Sequence, residues 1–326
     1  MAEESLTDRL ETLHISEPEY LLYNPDEDRL WLRQKFDSIP RYLFRVSSPC
    51  SDGWSTDRLW VRSKAGRHGR AIRNKDIFTQ NNNVVAKMLN VHLRWWGRSD
   101  DLDDNFVSWT SSLLFACQYI FYRHREERDE SSLDDIQLCI IDTLAYPQGV
   151  FLRDMDLIRA YRSFDHSFDR SFDRSFDCSL GNLETLRKKQ HKNLHGSYYF
   201  GKYLSQGVLR VQGESQIVPA QTIIDQGLFL LRPEFQRSMV LTKPEWAETV
   251  LRLREEFYQG PEQEITTEEI LAAMNIAQLF GGQWRLPVAA YFMALRPRQE
   301  NDEAISEAFK TARFTGRSVN HFPGRD

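Results

Sequence analysis

Two hydrophobic periodicities divide this chain near residue 240, and that division limits the folds open to it. Before it, the runs at 42–46, 106–110, 136–142, 208–211 and 216–219 are short, apolar or alternating, and read as strands; 113–125 and 154–161 between them read as helices. After it every apolar stripe has helical spacing. Trp246, Val250, Leu253 and Phe257 share one face. Thr266 with Glu269 forms a capping-box pattern, Ile265 and Ile270 stand where a hydrophobic staple needs them, and Gly281-Gly282 supplies a stop. Pro287 fits the first turn of a third helix that ends before Pro297, and Asp302 can cap a fourth through Ile305, Phe309 and Ala312. The expected class is α+β: a split mixed sheet followed by an all-helical C-terminal part.

At 326 residues, and about 150 per domain, the chain has room for two domains and a sizeable core. A hydrophobic share of 41% and a charged share of 27% exclude a disordered or collagen-like chain. The net charge of −5 names no polyanionic partner. Charge is uneven, however: residues 1–28 carry nine acids and one base, which leaves the remainder near +3. The expected acidic arm covers 1–38, partly helical, with Leu21, Leu22, Leu30, Trp31, Leu32 and Phe36 docking its later part on the body.

Two stretches interrupt the strand and helix pattern. Residues 58–75 hold seven bases and no acid, with Trp60 among them and Gly66 and Gly69 loosening the backbone; they read as an exposed basic loop. One short run on an acidic protein argues against nucleic acid as the partner. Residues 163–177, SFDHSFDRSFDRSFD, repeat Ser-Phe-Asp every four residues, a unit far too short for a solenoid. A tolerated low-complexity insertion is the preferred reading, with a Phe-striped docking helix as the alternative. The tail, 317–326, is expected to be disordered.

Catalytic signatures are few. Cys50, Cys117, Cys139 and Cys178 form no Cys-x-x-Cys pair, so neither a disulfide framework nor a metal site is expected. His191 and His195 stand four apart, but in a Lys-rich segment that reads as surface. Gly-x-Gly-x-x-Gly, Walker A, His-Glu-x-x-His and Gly-x-Ser-x-Gly patterns are absent. No stretch approaches the ~18 apolar residues of a membrane span and MAEESLTDRL has no leader character, so no membrane partner and an intracellular, cytoplasmic or nuclear, location are expected.

Two segments stand out by their setting. In IPRYLFRVSSP, Arg45 sits in a strand beside Phe44; in FVSWTSSLLFA, a strand ends in Thr110, Ser111 and Ser112 and runs straight into an apolar helix, where hydroxyls serve by default as helix caps. Together with IIDT, YPQGVFLRDMDLIRAY, YLSQG and QTIIDQGLFLLRPEF, these segments resemble a fungal family of uncharacterised proteins, a domain of unknown function whose core resembles the ADP-ribosyltransferase fold. The resemblance covers about 39–240, with a helical part at 241–316.

It implies that Arg45 contacts the phosphate and ribose of NAD, and that Thr110, Ser111 and Ser112 hold its nicotinamide side. Chemically, arginine's fork suits a pyrophosphate, and a carboxylate can stabilise the oxocarbenium-like charge formed as the nicotinamide–ribose bond breaks. Where the family places an acidic residue before Tyr-Leu-Ser-x-Gly, this chain has Lys202. Gln212-Gly213-Glu214 has the Gln-x-Glu form of some transferases, making Glu214 the candidate catalytic carboxylate, beside its reading as an exposed turn residue. Three functions follow: a degenerate transferase fold serving as a binding or interaction module, with a protein partner left open; an active NAD-dependent ADP-ribosyltransferase or NAD glycohydrolase; and a nucleic-acid-associated protein. The first is preferred, because lysine cannot replace a carboxylate beside a developing cation.

Overall fold

The computed structural model describes residues 19–51, 58–94, 104–126, 128–165, 179–240 and 246–315. Among the described residues eight strands form two sheets: β1 (Tyr42–Ser47), β2 (Trp60–Arg62), β3 (Phe106–Thr110), β4 (Gln137–Asp142), β5 (Leu152–Arg153), β6 (Lys202–Gln206), β7 (Val208–Arg210) and β8 (Ser215–Pro219). Six of them make one sheet in the order β5-β6-β3-β1-β4-β8, and β2 pairs with β7 as a ribbon. All these strand pairings are antiparallel, so the sheet is split as expected but not mixed: neighbouring strands run opposite ways throughout. The strand runs read from the sequence thus become β1, β3, β4, β7 and β8 within a residue of their expected ends, in a mixed α+β fold.

Residue alternation assigns the two faces of the large sheet. Leu43, Val107, Trp109, Cys139 and Ile141 pack together under the β2–β7 ribbon. The opposite face carries two separate helical layers. Phe44, Val46, Leu138, Ile140 and Val218 pack against α2 (Leu113–Arg125) and the C-terminal helices, while Phe106, Leu152 and Leu204 pack against α1 (Asn82–Leu93), α3 (Asp154–Tyr161) and α4 (Leu180–Lys188). The sheet is split to match. β1 runs beside β4 over six residue pairs but meets β3 at one, Phe44 with Thr110. Each half of the sheet therefore follows its own helical layer, and the seam between the layers lies over β3.

The C-terminal helices are α5 (Ala247–Arg254), α6 (Thr267–Gln278), α7 (Arg285–Met293) and α8 (Glu303–Thr315). Thr266 and Glu269 form the expected capping box, Gly281 and Gly282 take positive φ after α6, and Asp302 accepts from the backbone N–H groups of Ala304 and Ile305. These helices do not build a core of their own: Ala273, Ile276, Val288 and Phe292 join the cluster that holds Phe44 and Ile140. Buried Arg232 ties the joint, donating to the carbonyls of Leu253 and Leu295 and pairing with Glu256.

Two expectations change. The basic stretch at 58–75 is no loose loop: it supplies β2, a helical turn at Lys64–Arg67 capped by Ser63, and a 3-10 turn at Ala71–Asn74. Gly66 is buried against Val208, so its missing side chain serves close packing rather than flexibility. Of the Ser-Phe-Asp tract, residues 166–177 lie outside the described residues, but its first unit is docked. Phe164 packs in the core of α1 and α3 beneath the Arg29 guanidinium, and Asp165 accepts from Asn90 and from the backbone of Leu180. The acidic arm docks as expected through Leu32 and Phe36, whereas Leu30 points outward and residues 1–18 lie outside the described residues. The tail at 317–326 lies outside them too. No helix among the described residues is long and apolar enough to cross a membrane.

Candidate functional site

The seam between the two helical layers is a cleft of about 1070 Å³, at the upper end of the ~300–1,000 Å³ usual for small-molecule sites. Its floor is the cleft-facing row of β3 and its neighbours: Phe44, Phe106, Ser108, Thr110 and Lys202. The geometry follows from the split. Antiparallel register would place Val46 opposite Ser108 as the next pair after Phe44 and Thr110, but the ladder has ended there. The Ser108 carbonyl is instead taken by the guanidinium of Arg45, whose Nη1 donates to it at 3.0 Å. An arginine in the middle of a strand thereby satisfies the backbone that the opening seam leaves exposed.

On the floor stands a chain of three polar side chains. Ser108 Oγ lies 2.8 Å from His92 Nε2, and His92 Nδ1 pairs with the Asp104 carboxylate. A carboxylate only accepts, so Nδ1 is the donor to Asp104, and in neutral imidazole Nε2 is then the acceptor for the Ser108 hydroxyl. Backbone holds each member. His92 belongs to the last turn of α1 and its ring lies 5.5 Å from that of Phe106. The other Asp104 oxygen accepts from the backbone N–H of Phe106 at 2.8 Å, while Ser108 is fixed by β3. The side chains of His92 and Asp104 are 11% and 16% exposed, which leaves them enclosed yet reachable from the cleft.

Positive charge dominates the lining, with eight arginines and lysines against three carboxylates. Lys202, half-buried at the start of β6, is lowered to about 7, first by burial, then by the neighbouring Arg187 and Arg45 cations against the opposing effect of Asp104. Arg187 is itself lowered to about 10, chiefly by burial, and pairs with the fully buried Asp154. Across the cleft the wall is aromatic. Phe115 stacks on Tyr119 and on Phe200 at ring separations of 5.7 and 5.2 Å, and Trp246 meets Phe115 edge-on at 5.6 Å. Tyr122 extends the wall by stacking on Tyr119.

Among the residues singled out from the sequence, Arg45 and Thr110 line this cleft. Thr110 Oγ1 donates to the Phe200 carbonyl at 2.7 Å and accepts from the backbone of Ser112, so its hydroxyl braces the strand end. Ser111 binds Gly201 through its backbone N–H and its hydroxyl, and Ser112 accepts from Phe115 N–H as the cap of α2. Neither Ser111 nor Ser112 is among the lining residues. Glu214 is exposed on the turn before β8, where its carbonyl accepts from Asp142, and it also lies off the cleft lining. Sequence reasoning missed His92, Asp104 and Ser108. The available signal was a serine on the inward row of an otherwise apolar strand, FVSWT. Among the described residues no group of three or more His, Cys, Asp or Glu could hold a metal ion.

A family model described as a domain of unknown function (DUF7587) matches residues 38–174. That span includes Arg45, His92, Asp104, Ser108 and Thr110 and stops short of Arg187, Lys202 and Trp246. No curated protein and no solved structure matches the chain.

Proposed function

We propose that the cleft binds an anionic ligand with a flat aromatic group, a nucleotide or a dinucleotide such as NAD, and that the chain works as a degenerate ADP-ribosyltransferase-like binding module. The observation that carries this reading is that one cleft is lined by Lys202 on its floor, by Arg45 reaching the seam at the Ser108 carbonyl, and by the aromatic side chains of Phe115, Tyr119, Tyr122 and Trp246. Arginine supplies a planar fork for phosphate oxygens, and an aromatic face offers a stacking surface to any base.

The same arrangement argues against ADP-ribosyl transfer. Lys202, the cross-strand partner of Thr110, puts an amine on the floor, whereas the resemblance calls for a carboxylate just before Tyr-Leu-Ser-x-Gly. Glu214, the sequence candidate for that role, does not line the cleft. Equilibrium titration of NAD and ADP into the protein, with a parallel assay for released nicotinamide, tests the reading. Saturable binding without turnover supports it. Robust nicotinamide release would replace the module with an active transferase or glycohydrolase.

A further inference from the structure

We propose that Ser108, His92 and Asp104 form a nucleophile, base and orienting carboxylate that hydrolyse a carboxylic ester bearing an anionic group. This goes beyond the binding reading, on which it rests only for the anion preference of the same cleft. The geometry meets the demands of such a set one by one. The nucleophilic oxygen lies 2.8 Å from the base nitrogen, within the ~2.6–3.2 Å that proton abstraction requires. The opposite ring nitrogen is held by a carboxylate, which is anchored in turn by the N–H of Phe106. All three side chains line one cleft, His92 from the last turn of α1, Asp104 from just before β3 and Ser108 from β3 itself.

The surroundings select the substrate. A serine and histidine alone would serve any ester, but the cleft lining here also includes Lys202 on the floor and Arg45 at the seam, where Arg45 donates to the carbonyl of the nucleophile's own residue. These cations favour a substrate with a carboxylate or phosphate group.

The steps balance with water as the co-reactant. Ser108 Oγ bonds to the ester carbon as its proton passes to His92 Nε2, and the carbonyl π pair moves onto oxygen. The tetrahedral adduct collapses, the bond to the alcohol oxygen breaks, and His92 returns the proton to that leaving group. Water then attacks the acyl–Ser108 bond, losing a proton to His92. Cleavage of that bond releases the carboxylic acid, and Ser108 regains its proton. Asp104 stabilises the imidazolium in both halves.

The test uses a fluorophosphonate probe on the full chain, with the labelled peptide found by mass spectrometry, and then hydrolysis of 4-nitrophenyl hemisuccinate beside 4-nitrophenyl acetate. The set predicts labelling at Ser108, abolished in Ser108→Ala. It also predicts at least a hundredfold slower labelling in His92→Gln and Asp104→Asn, and a preference of tenfold or more for the anionic ester. Melting curves identify variants that stay folded, and NAD or ADP titration of Ser108→Ala reports the binding site independently. Absence of labelling in the folded natural chain, or labelling that persists in Ser108→Ala, would overturn the proposal and leave the three residues as a tie between α1 and β3. In that case intact nucleotide binding would still uphold the binding reading, whereas loss of binding with labelling intact would overturn the binding reading alone.

Discussion

Lys202 stands directly across the β3–β6 ladder from Thr110, which puts its ammonium on the cleft floor within the influence of Arg45, Arg187 and Asp104. Its ordinary value of 10.5 falls to about 7. Between those values the unfolded chain holds a proton that the folded chain has released, so stability rises with pH through this window; below about 7 both states are charged and the burial penalty is present in full. Lys202→Met is therefore expected to raise stability at pH 6 by about 1–2 kcal/mol and to flatten the rise above neutrality. Denaturant titration from pH 6 to pH 9 checks both.

The same titration governs ligand binding. An anion in the cleft favours protonated Lys202, so affinity for ADP is expected to be highest below about pH 7 and to weaken as pH rises through that value. In Lys202→Met this dependence should vanish, as calorimetry at three pH values would show.

Gly201 precedes Lys202 with φ +66°, and a Cβ there would collide with Ser111 Oγ. The left-handed backbone favours glycine, and a Cβ would also force the Ser111 hydroxyl out of its place. Gly201→Ala is expected to lose about 1–3 kcal/mol. Ser112→Ala, which removes only the cap of α2, should cost about 1 kcal/mol.

Within the Ser-Phe-Asp tract, the described contacts end at Asp165, whose carboxylate accepts from the Leu180 backbone at 2.6 Å and so holds the two flanks of the tract together. Deleting 166–177 is expected to leave the melting temperature within a few degrees of the natural chain. A deletion that begins at Ser163 also removes Phe164 and Asp165 from their contacts with Arg29 and Asn90, and should cost about 2–4 kcal/mol. Equal melting temperatures for the two deletions would contradict this.

How far the sequence could be read varies with the physics of each element. The five strand runs and the C-terminal helices carry their own local signals: alternation, the Thr266 capping box, the Gly281-Gly282 stop. Helix α1 carries the same kind of signal, Val85, Leu89 and Leu93 at i, i+4 and i+8 after the Asn81 cap, which sequence reasoning missed; what the sequence does not show is that this face packs on α3. The site divides in the same way. Arg45 is conspicuous as a charge in an apolar strand, whereas His92, Asp104 and Ser108 are unremarkable polar residues until α1 packs over the seam beside β3. Thr110-Ser111-Ser112 was visible as a motif, yet its hydroxyls are occupied by local backbone groups, and the hydroxyl that meets the cleft histidine lies one inward position earlier on the strand.

The central claim is that a cationic floor and an aromatic wall form one ligand site. The most direct measurement is calorimetric titration of ADP into the natural chain and into Arg45→Ala, Tyr122→Ala and Glu214→Gln. The account predicts saturable one-site binding. Arg45→Ala should weaken it by about tenfold or more, about 1.4 kcal/mol, and Tyr122→Ala should lose about 1 kcal/mol of stacking, while Glu214→Gln leaves it unchanged. Absence of binding to the folded natural chain, or binding that depends on Glu214 and is indifferent to Arg45, would contradict it.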